Sequence, residues 1–152
     1  MGMSFQTVLE KYRAKSHSKR DLGDHFERLM QAFLRTYQPY NGLFSSVWLW
    51  SEFPYRHDFG SGQDIGIDLV CKTFGNEYWA VQCKCYRDDA YISKDDVDSF
   101  ISASGKMFQG ADGADTCFSH RLWISTTNNW SSNAEESLRN QIYEVHRLNL
   151  SE

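Results

Sequence analysis

Two kinds of hydrophobic repeat alternate along the chain and predict its elements. Apolar residues spaced by three and four, a helical repeat, begin at Ser4 and recur over residues 21–37. Runs rich in β-branched and aromatic residues predict strands over residues 43–50, 67–71, 78–85, 121–127 and 142–150. Further helices are predicted from Ser93 and over residues 131–141. The predicted order is therefore α, α, β, β, β, α, β, α, β.

This order predicts one α/β domain over residues 1–152, with a mixed central sheet flanked by helices on both faces. The strands 67–71 and 78–85 should form an antiparallel hairpin around Gly75-Asn76, and later strands should follow β-α-β crossovers. Strand 43–50 is apolar on both faces, which predicts a central, covered position. Residues 109–116 are rich in Gly and Asp and predict a loop.

Polar residues interrupt the two strands of the predicted hairpin. Asp68 lies in the first strand, while Gln82 and Lys84 lie two residues apart in the second and therefore share one face. A carboxylate and an amide oxygen suit Mg²⁺, and a lysine beside them can contact a phosphate. Glu27, at the border of the apolar stripe of helix 21–37, offers a second carboxylate. Without metal the Asp68 carboxylate is expected to be unpaired, so that Asp68→Ala should not unfold the domain and can even stabilise it.

The four cysteines lack C-x-x-C spacing, which excludes the usual zinc patterns. Cys83 and Cys85 lie on the strand face opposite Gln82 and Lys84, and we predict that they are buried structural thiols. A thiol enzyme with Cys83 or Cys85 as nucleophile is an alternative, but no histidine has an informative spacing to serve as base. The histidines available are His17, His25, His57, His120 and His146.

Composition limits the possible partners. The chain has 16 basic and 20 acidic residues, a net charge of −4, so it lacks the basic excess that supplies most nucleic-acid affinity. Its glycines match neither the dinucleotide fingerprint nor the phosphate loop. The sequence has no signal peptide or long apolar run, so a cytoplasmic location is expected. Lys94, Asp95 and Asp96 are expected to be surface and capping residues of the helix that begins at Ser93.

The stretches Gly66-Ile67-Asp68 and Gln82-Cys83-Lys84, with Glu27 in the preceding helix, resemble the PD-(D/E)XK nuclease superfamily. They resemble its Mrr-like branch in particular, where Gln-x-Lys replaces Glu-x-Lys. The longer runs GIDLV, YWAVQCKCY, ISKDDVDSFISASGK, RLWISTT and WSSNAE are similar to the N-terminal nuclease domain of helicase-containing restriction enzymes of the type ISP group.

This resemblance implies a restriction-endonuclease-like fold and a DNA endonuclease that uses Mg²⁺, with Mn²⁺ as a substitute. It assigns the metal to Asp68, Gln82 and Glu27, and catalysis to these residues together with Lys84. DNA is the implied partner, and a helicase-like domain is expected downstream in a longer parent chain. A catalytically silent DNA-binding or docking module with the same fold stays open as an alternative, which the acidic charge favours.

Overall fold

A computed structural model describes residues 10–11, 14, 19–59, 65–85, 90–110, 113–139, 141 and 144–150. Most of the helix predicted from Ser4 lies outside these residues. The helices within them are α1 Lys19–Thr36, α2 Lys94–Ser104 and α3 Ser132–Leu138. The strands are β1 Phe44–Leu49, β2 Leu69–Thr73, β3 Tyr78–Lys84, β4 Phe108–Gln109, β5 Asp115–Thr116, β6 Phe118–Ser125 and β7 Val145–Asn149.

Five strands form a mixed sheet in the order β1-β2-β3-β6-β7. Strands β1, β2 and β3 are antiparallel, whereas β6 runs parallel to both β3 and β7. The β2–β3 turn places Asn76 at φ 65°, a left-handed conformation that asparagine tolerates better than most residues. The predicted mixed sheet and antiparallel hairpin are thus confirmed.

The predicted loop over residues 109–116 was partly wrong. Strands β4 and β5 pair there as a separate two-stranded sheet, with Phe108 opposite Thr116 and Gln109 opposite Asp115. Phe108 is 2% exposed and belongs to the larger apolar cluster of the core. Burial of this side chain ties the hairpin to the domain, a long-range contact that the local Gly/Asp composition does not reveal.

Helices cover both faces of the sheet, as predicted. Helix α1 packs on one face and α2 and α3 pack on the other, each through its buried side chains. Helix α1 ends at Thr36, and Tyr37, predicted as part of its apolar stripe, stacks on Phe33 but is 61% exposed. The described helices lack the combination of length and apolar character that crossing a membrane requires. The buried apolar residues of these helices are Phe26, Met30 and Leu34 of α1, Val97, Phe100 and Ala103 of α2, and Ala134 of α3.

Strand β1 lies at one end of the sheet among the described strands, so its predicted central position is wrong. Val47 packs beneath α1, and Trp48 packs against the aromatic cluster on the other face. The carbonyl of Val47 accepts hydrogen bonds from Gln31 Nε2 at 3.1 Å and from Arg35 at 2.8 Å. Both faces of the strand are covered, which accounts for its apolar residues on both faces. At its outer edge, side chains of α1 donate hydrogen bonds to a backbone carbonyl that has no neighbouring strand among the described residues.

Candidate active site

The backbone of Asp68 is held between two neighbouring strands immediately before β2. Its N–H donates to the Val81 carbonyl at 3.0 Å, and its carbonyl accepts from the Trp50 N–H at 2.9 Å. Its side chain then accepts a hydrogen bond from the Cys83 N–H, with 2.9 Å between Oδ2 and the nitrogen. These three bonds give the carboxylate a defined position over the carboxyl end of β3.

The Gln82 side chain is 4% exposed and lies directly beside Asp68. The end of its amide is 2.7 Å from the Gly66 carbonyl oxygen and 3.3 Å from Asp68 Oδ2. Both neighbours are acceptors, so the amide nitrogen belongs at this position and donates to both. The structure therefore brings Asp68 and Gln82 together with a backbone oxygen that the sequence did not indicate.

Gly66 occupies a position that only glycine fits comfortably. Its φ is +90°, and a Cβ built there would lie 2.8 Å from the Ser99 carbonyl oxygen and 3.2 Å from the Phe100 nitrogen. The segment before β2 therefore packs directly on the backbone of α2. This close approach presents the Gly66 carbonyl to Gln82.

Lys84 follows Gln82 on the same face of β3. The alternation is visible in the packing, because Tyr78 and Ala80 of this face lie in the core beneath α2, while Cys83 lies beneath α1. The Lys84 side chain is 33% exposed, and its Nζ is 3.9 Å from Asp96 Oδ1. The predicted sharing of a face by Gln82 and Lys84 thus matches the structure.

An open cleft of about 480 Å³ lies between the end of β3 and α2. Gln82 and Lys84 contribute from the strand, the helix contributes hydroxyl and carboxylate groups, and Lys106, just after the helix, contributes an ammonium group. The cleft is large enough for a phosphate and its hydration, and its polar lining suits a charged occupant. Its lining residues are Ile65, Gly66, Gln82, Lys84, Asp96, Asp98, Ser99, Ser102, Ala103 and Lys106.

Sequence reasoning missed the contribution of α2 to this cleft. Ser93 does cap the helix, accepting from the Asp96 N–H at 3.2 Å, as expected. The Asp96 side chain, however, faces Lys84 in the cleft and is not only a surface group. The signal available in the sequence was the spacing of Asp96, Ser99 and Ser102, which lie three residues apart beside the buried stripe of the helix.

Glu27 is half-buried in α1, the helix on the opposite face of the sheet from the cleft. Burial is the main reason why the pKa of the Cys83 thiol lies well above its usual range, and the negative charges of Asp68 and Glu27 raise it further. Glu27 therefore lies near enough to β3 for its charge to act on Cys83. A shared metal site for Glu27 and Asp68 stays a prediction.

Cys83, the cysteine of the central strand β3, is buried, and its purely structural role stays a prediction. Cys83 is 6% exposed and packs in the apolar cluster beneath α1, away from Lys84. Since burial disfavours its thiolate, Cys83 is a poor nucleophile, which argues against the thiol-enzyme alternative. Cys85 is only partly buried against the same cluster, so the prediction of a buried thiol is confirmed for Cys83 but not for Cys85.

A family model described as a restriction endonuclease, of the Mrr catalytic type, matches residues 36–152. The chain belongs to this restriction endonuclease family. The matched range contains both motifs of the site, Gly66-Ile67-Asp68 and Gln82-Cys83-Lys84, but Glu27 precedes it. Among curated proteins, no relative matches the chain.

Two solved structures of restriction enzymes are similar to this restriction endonuclease domain. One is the ATP-dependent type ISP restriction-modification enzyme LlaBIII bound to DNA, with a TM-score of 0.70 and 25% identity. The match covers 99% of this chain but 8% of the enzyme. The other is the MspJI restriction endonuclease in complex with a 27-mer oligonucleotide, with a TM-score of 0.49 and 13% identity over 96% of this chain and 28% of that one. The chain thus spans a small part of each enzyme.

Proposed function

We propose that this domain is a metal-dependent DNA endonuclease that hydrolyses phosphodiester bonds with Mg²⁺, for which Mn²⁺ can substitute. One observation carries the proposal. The end of the Gln82 amide lies between the Asp68 carboxylate and the Gly66 carbonyl, at the end of two antiparallel strands, and Gln82, Gly66 and Lys84 line an open cleft.

The chemistry of these groups fits a hard divalent cation. A carboxylate, a side-chain amide and backbone carbonyls are oxygen donors, which Mg²⁺ prefers over nitrogen or sulfur. Asp68 would contribute the charged ligand and Gln82 a neutral one. When bound, Mg²⁺ supplies Lewis acidity towards the phosphate and lowers the pKa of a water ligand.

The other residues have distinct proposed roles. The Lys84 ammonium lies in the cleft, where it can contact a phosphate oxygen and stabilise negative charge that develops at phosphorus. Glu27 would act as an additional carboxylate towards the metal, from the side of α1. Asp96 holds one side of the Lys84 ammonium and so restricts the directions in which that side chain extends.

The charge of the chain suggests where DNA affinity comes from. A net charge of −4 opposes binding of a DNA strand, and the cleft lining, with Asp96 and Asp98 against Lys84 and Lys106, has no excess of positive charge to offset it. We therefore propose that the domain works as the nuclease module of a larger restriction or helicase-like protein, whose other domains hold the DNA. The similarity to a part of LlaBIII, an ATP-dependent enzyme, supports this proposal.

The test is a comparison of Asp68→Asn with Asp115→Asn, an exposed aspartate of β5 in the separate two-stranded sheet. Calorimetric titration with Mg²⁺ and nicking of supercoiled plasmid with Mg²⁺ or Mn²⁺ provide the two readouts. Asp68→Asn should lose the strongest metal site and nicking, while Asp115→Asn should retain both. If the parent binds no metal and nicks no plasmid, the silent docking module replaces the nuclease.

The role of Glu27 needs its own variant. Glu27→Gln should weaken Mg²⁺ binding and slow nicking, though less than Asp68→Asn does, if Glu27 contributes to the metal site. The control is Glu77→Gln, an exposed glutamate between β2 and β3 at the other end of the hairpin. Equal metal affinity in Glu27→Gln and the parent would remove Glu27 from the site and leave Asp68 and Gln82 unaffected.

A further inference from the structure

The orientation of the Gln82 amide conflicts with the role of a metal ligand. The end of the amide lies 2.7 Å from Gly66 O and 3.3 Å from Asp68 Oδ2, and because both of these atoms are acceptors, hydrogen bonding assigns the nitrogen to this end in the metal-free protein. An amide nitrogen has hydrogens to donate and does not ligate Mg²⁺, which takes oxygen donors. The atom that faces Asp68 is therefore the wrong one for binding a cation between the two side chains.

We propose that Gln82 works as a two-position latch on the metal site, an inference that rests on the metal-dependent function proposed above. In the first position, the amide nitrogen donates to Gly66 O and Asp68 and holds the metal-free site together. In the second, the amide turns by about 180° about its last side-chain bond, so that its oxygen faces Asp68 and ligates the ion. Such terminal torsions are broad and roughly two-fold, so the rotation needs no movement of the strand.

Glutamine is the residue that can occupy both positions. A glutamate at residue 82 would direct an acceptor at two other acceptors, the Gly66 carbonyl and the Asp68 carboxylate, whenever the metal is absent. The amide removes that repulsion in the metal-free protein and still offers an oxygen to the ion. The cation must break the two hydrogen bonds of the amide nitrogen, and the rotation also turns that nitrogen towards donor groups, so the latch lowers metal affinity in exchange for an ordered empty site.

The chain contains a matched control for this behaviour. Gln31 is also 4% exposed, and its amide nitrogen also donates to one backbone carbonyl and one carboxylate. Its acceptors are Val47 O at 3.1 Å and Glu52 Oε1 at 2.9 Å, both remote from the cleft lining. The two amides share burial and bonding, but Gln82 alone contacts the proposed metal ligand.

The experiment is nuclear magnetic resonance of the ¹⁵N-labelled chain during titration with Mg²⁺. The two side-chain NH₂ signals are assigned by their loss in Gln82→Met and Gln31→Met. Without metal, both amides should exchange their protons slowly with water, because both are buried and donate two hydrogen bonds. On saturation with Mg²⁺, the Gln82 signal should move and its proton exchange should accelerate severalfold, while the Gln31 signal stays unchanged.

The Cys83 N–H, which donates to Asp68, reports ion binding independently of Gln82. If the Cys83 signal moves and the Gln82 amide keeps its slow exchange, the latch is overturned while the metal site stands. If Gln82 exchanges rapidly without metal, the first position is wrong. If neither signal responds to Mg²⁺, the metal site itself fails, and the second position fails with it.

Glutamate variants give a second readout. Gln82→Glu should lower the midpoint of thermal unfolding without metal, and Mg²⁺ should raise that midpoint by more degrees than it raises the parent's. Gln31→Glu should lower the midpoint as well, because it faces the Glu52 carboxylate, but Mg²⁺ should not restore it. A Gln82→Glu variant as stable as the parent without metal would contradict the latch.

Discussion

The Cys83 N–H donates a hydrogen bond to Asp68 Oδ2 at 2.9 Å, so the proposed metal ligand also completes the bonding of its neighbouring strand. The sequence suggested an unpaired carboxylate, whose removal would leave the domain stable or make it more stable. The carboxylate is not unpaired, because Asp68 Oδ2 accepts from the Cys83 N–H and lies 3.3 Å from the end of the Gln82 amide. The effect of its removal on stability stays a prediction, and the paired geometry reverses its direction.

Asp68→Ala should therefore destabilise the metal-free domain. It leaves the buried Cys83 N–H without its acceptor, which typically costs about 1–3 kcal/mol of unfolding free energy. Asp68→Asn keeps an acceptor oxygen and should lose much less. Urea unfolding of both variants in the presence of a chelator measures the difference. Equal stability of Asp68→Ala and the parent would show that the bond to Cys83 contributes little.

Lys84→Met should slow nicking and leave metal binding intact, since an ammonium group is not a metal ligand. Loss of one donor to transition-state charge typically lowers the rate about 10²–10³-fold. The control is Lys72→Met, because Lys72 is also a half-buried strand lysine, but its ammonium lies 5.8 Å from the ring centre of Tyr78, outside the cleft. Similar nicking rates in the two variants would remove Lys84 from the site.

Gly66→Ala should destabilise the domain and disturb the site together. A residue with a Cβ at positive φ costs about 1–3 kcal/mol, and here the Cβ also meets the backbone of Ser99 at 2.8 Å. Gly113→Ala separates the two effects, because Gly113 has a φ of +75° but nothing within 4 Å of its Cβ position. Thermal unfolding should show a larger loss for Gly66→Ala. Equal losses of thermal stability in the two variants would mean that the backbone of α2 moves away from the added Cβ at little cost.

Stability should depend on two buried thiols at alkaline pH. Burial raises the pKa of Cys71 and Cys83 in the folded state, whereas an unfolded thiol ionises near pH 8.5. The two protonated thiols contribute fully to the free energy of unfolding below the pKa of the unfolded thiol. This contribution is lost as pH rises towards the folded pKa, by up to about 1.4 kcal/mol per thiol per pH unit. Urea unfolding from neutral pH to about pH 10 should show a shallower decline for Cys71→Ala/Cys83→Ala than for the parent. Parallel curves would contradict this assignment.

The local pattern of apolar and polar residues was sufficient to predict much of the candidate site. The two-residue period of a strand places Gln82 and Lys84 on one face and Cys83 on the other in any sheet, and the structure agrees. The apolar runs that flank Asp68 and Gln82 also predicted the hairpin that brings the two residues together, because Gly75-Asn76 leaves few alternatives to a tight turn.

The sequence by itself thus determined the hairpin of β2 and β3, the order of the five strands of the main sheet along the chain and the faces of the central strand, since these depend on the local pattern of residues. The tertiary structure decided what depends on distant residues: the edge position of β1, the packing of Gly66 on Ser99, and the meeting of Asp96 with Lys84. It also decided which atom of the Gln82 amide faces Asp68, because two acceptors from a different segment select the nitrogen. Such contacts follow from how the segments pack in space, and the local pattern of apolar and polar residues does not encode them.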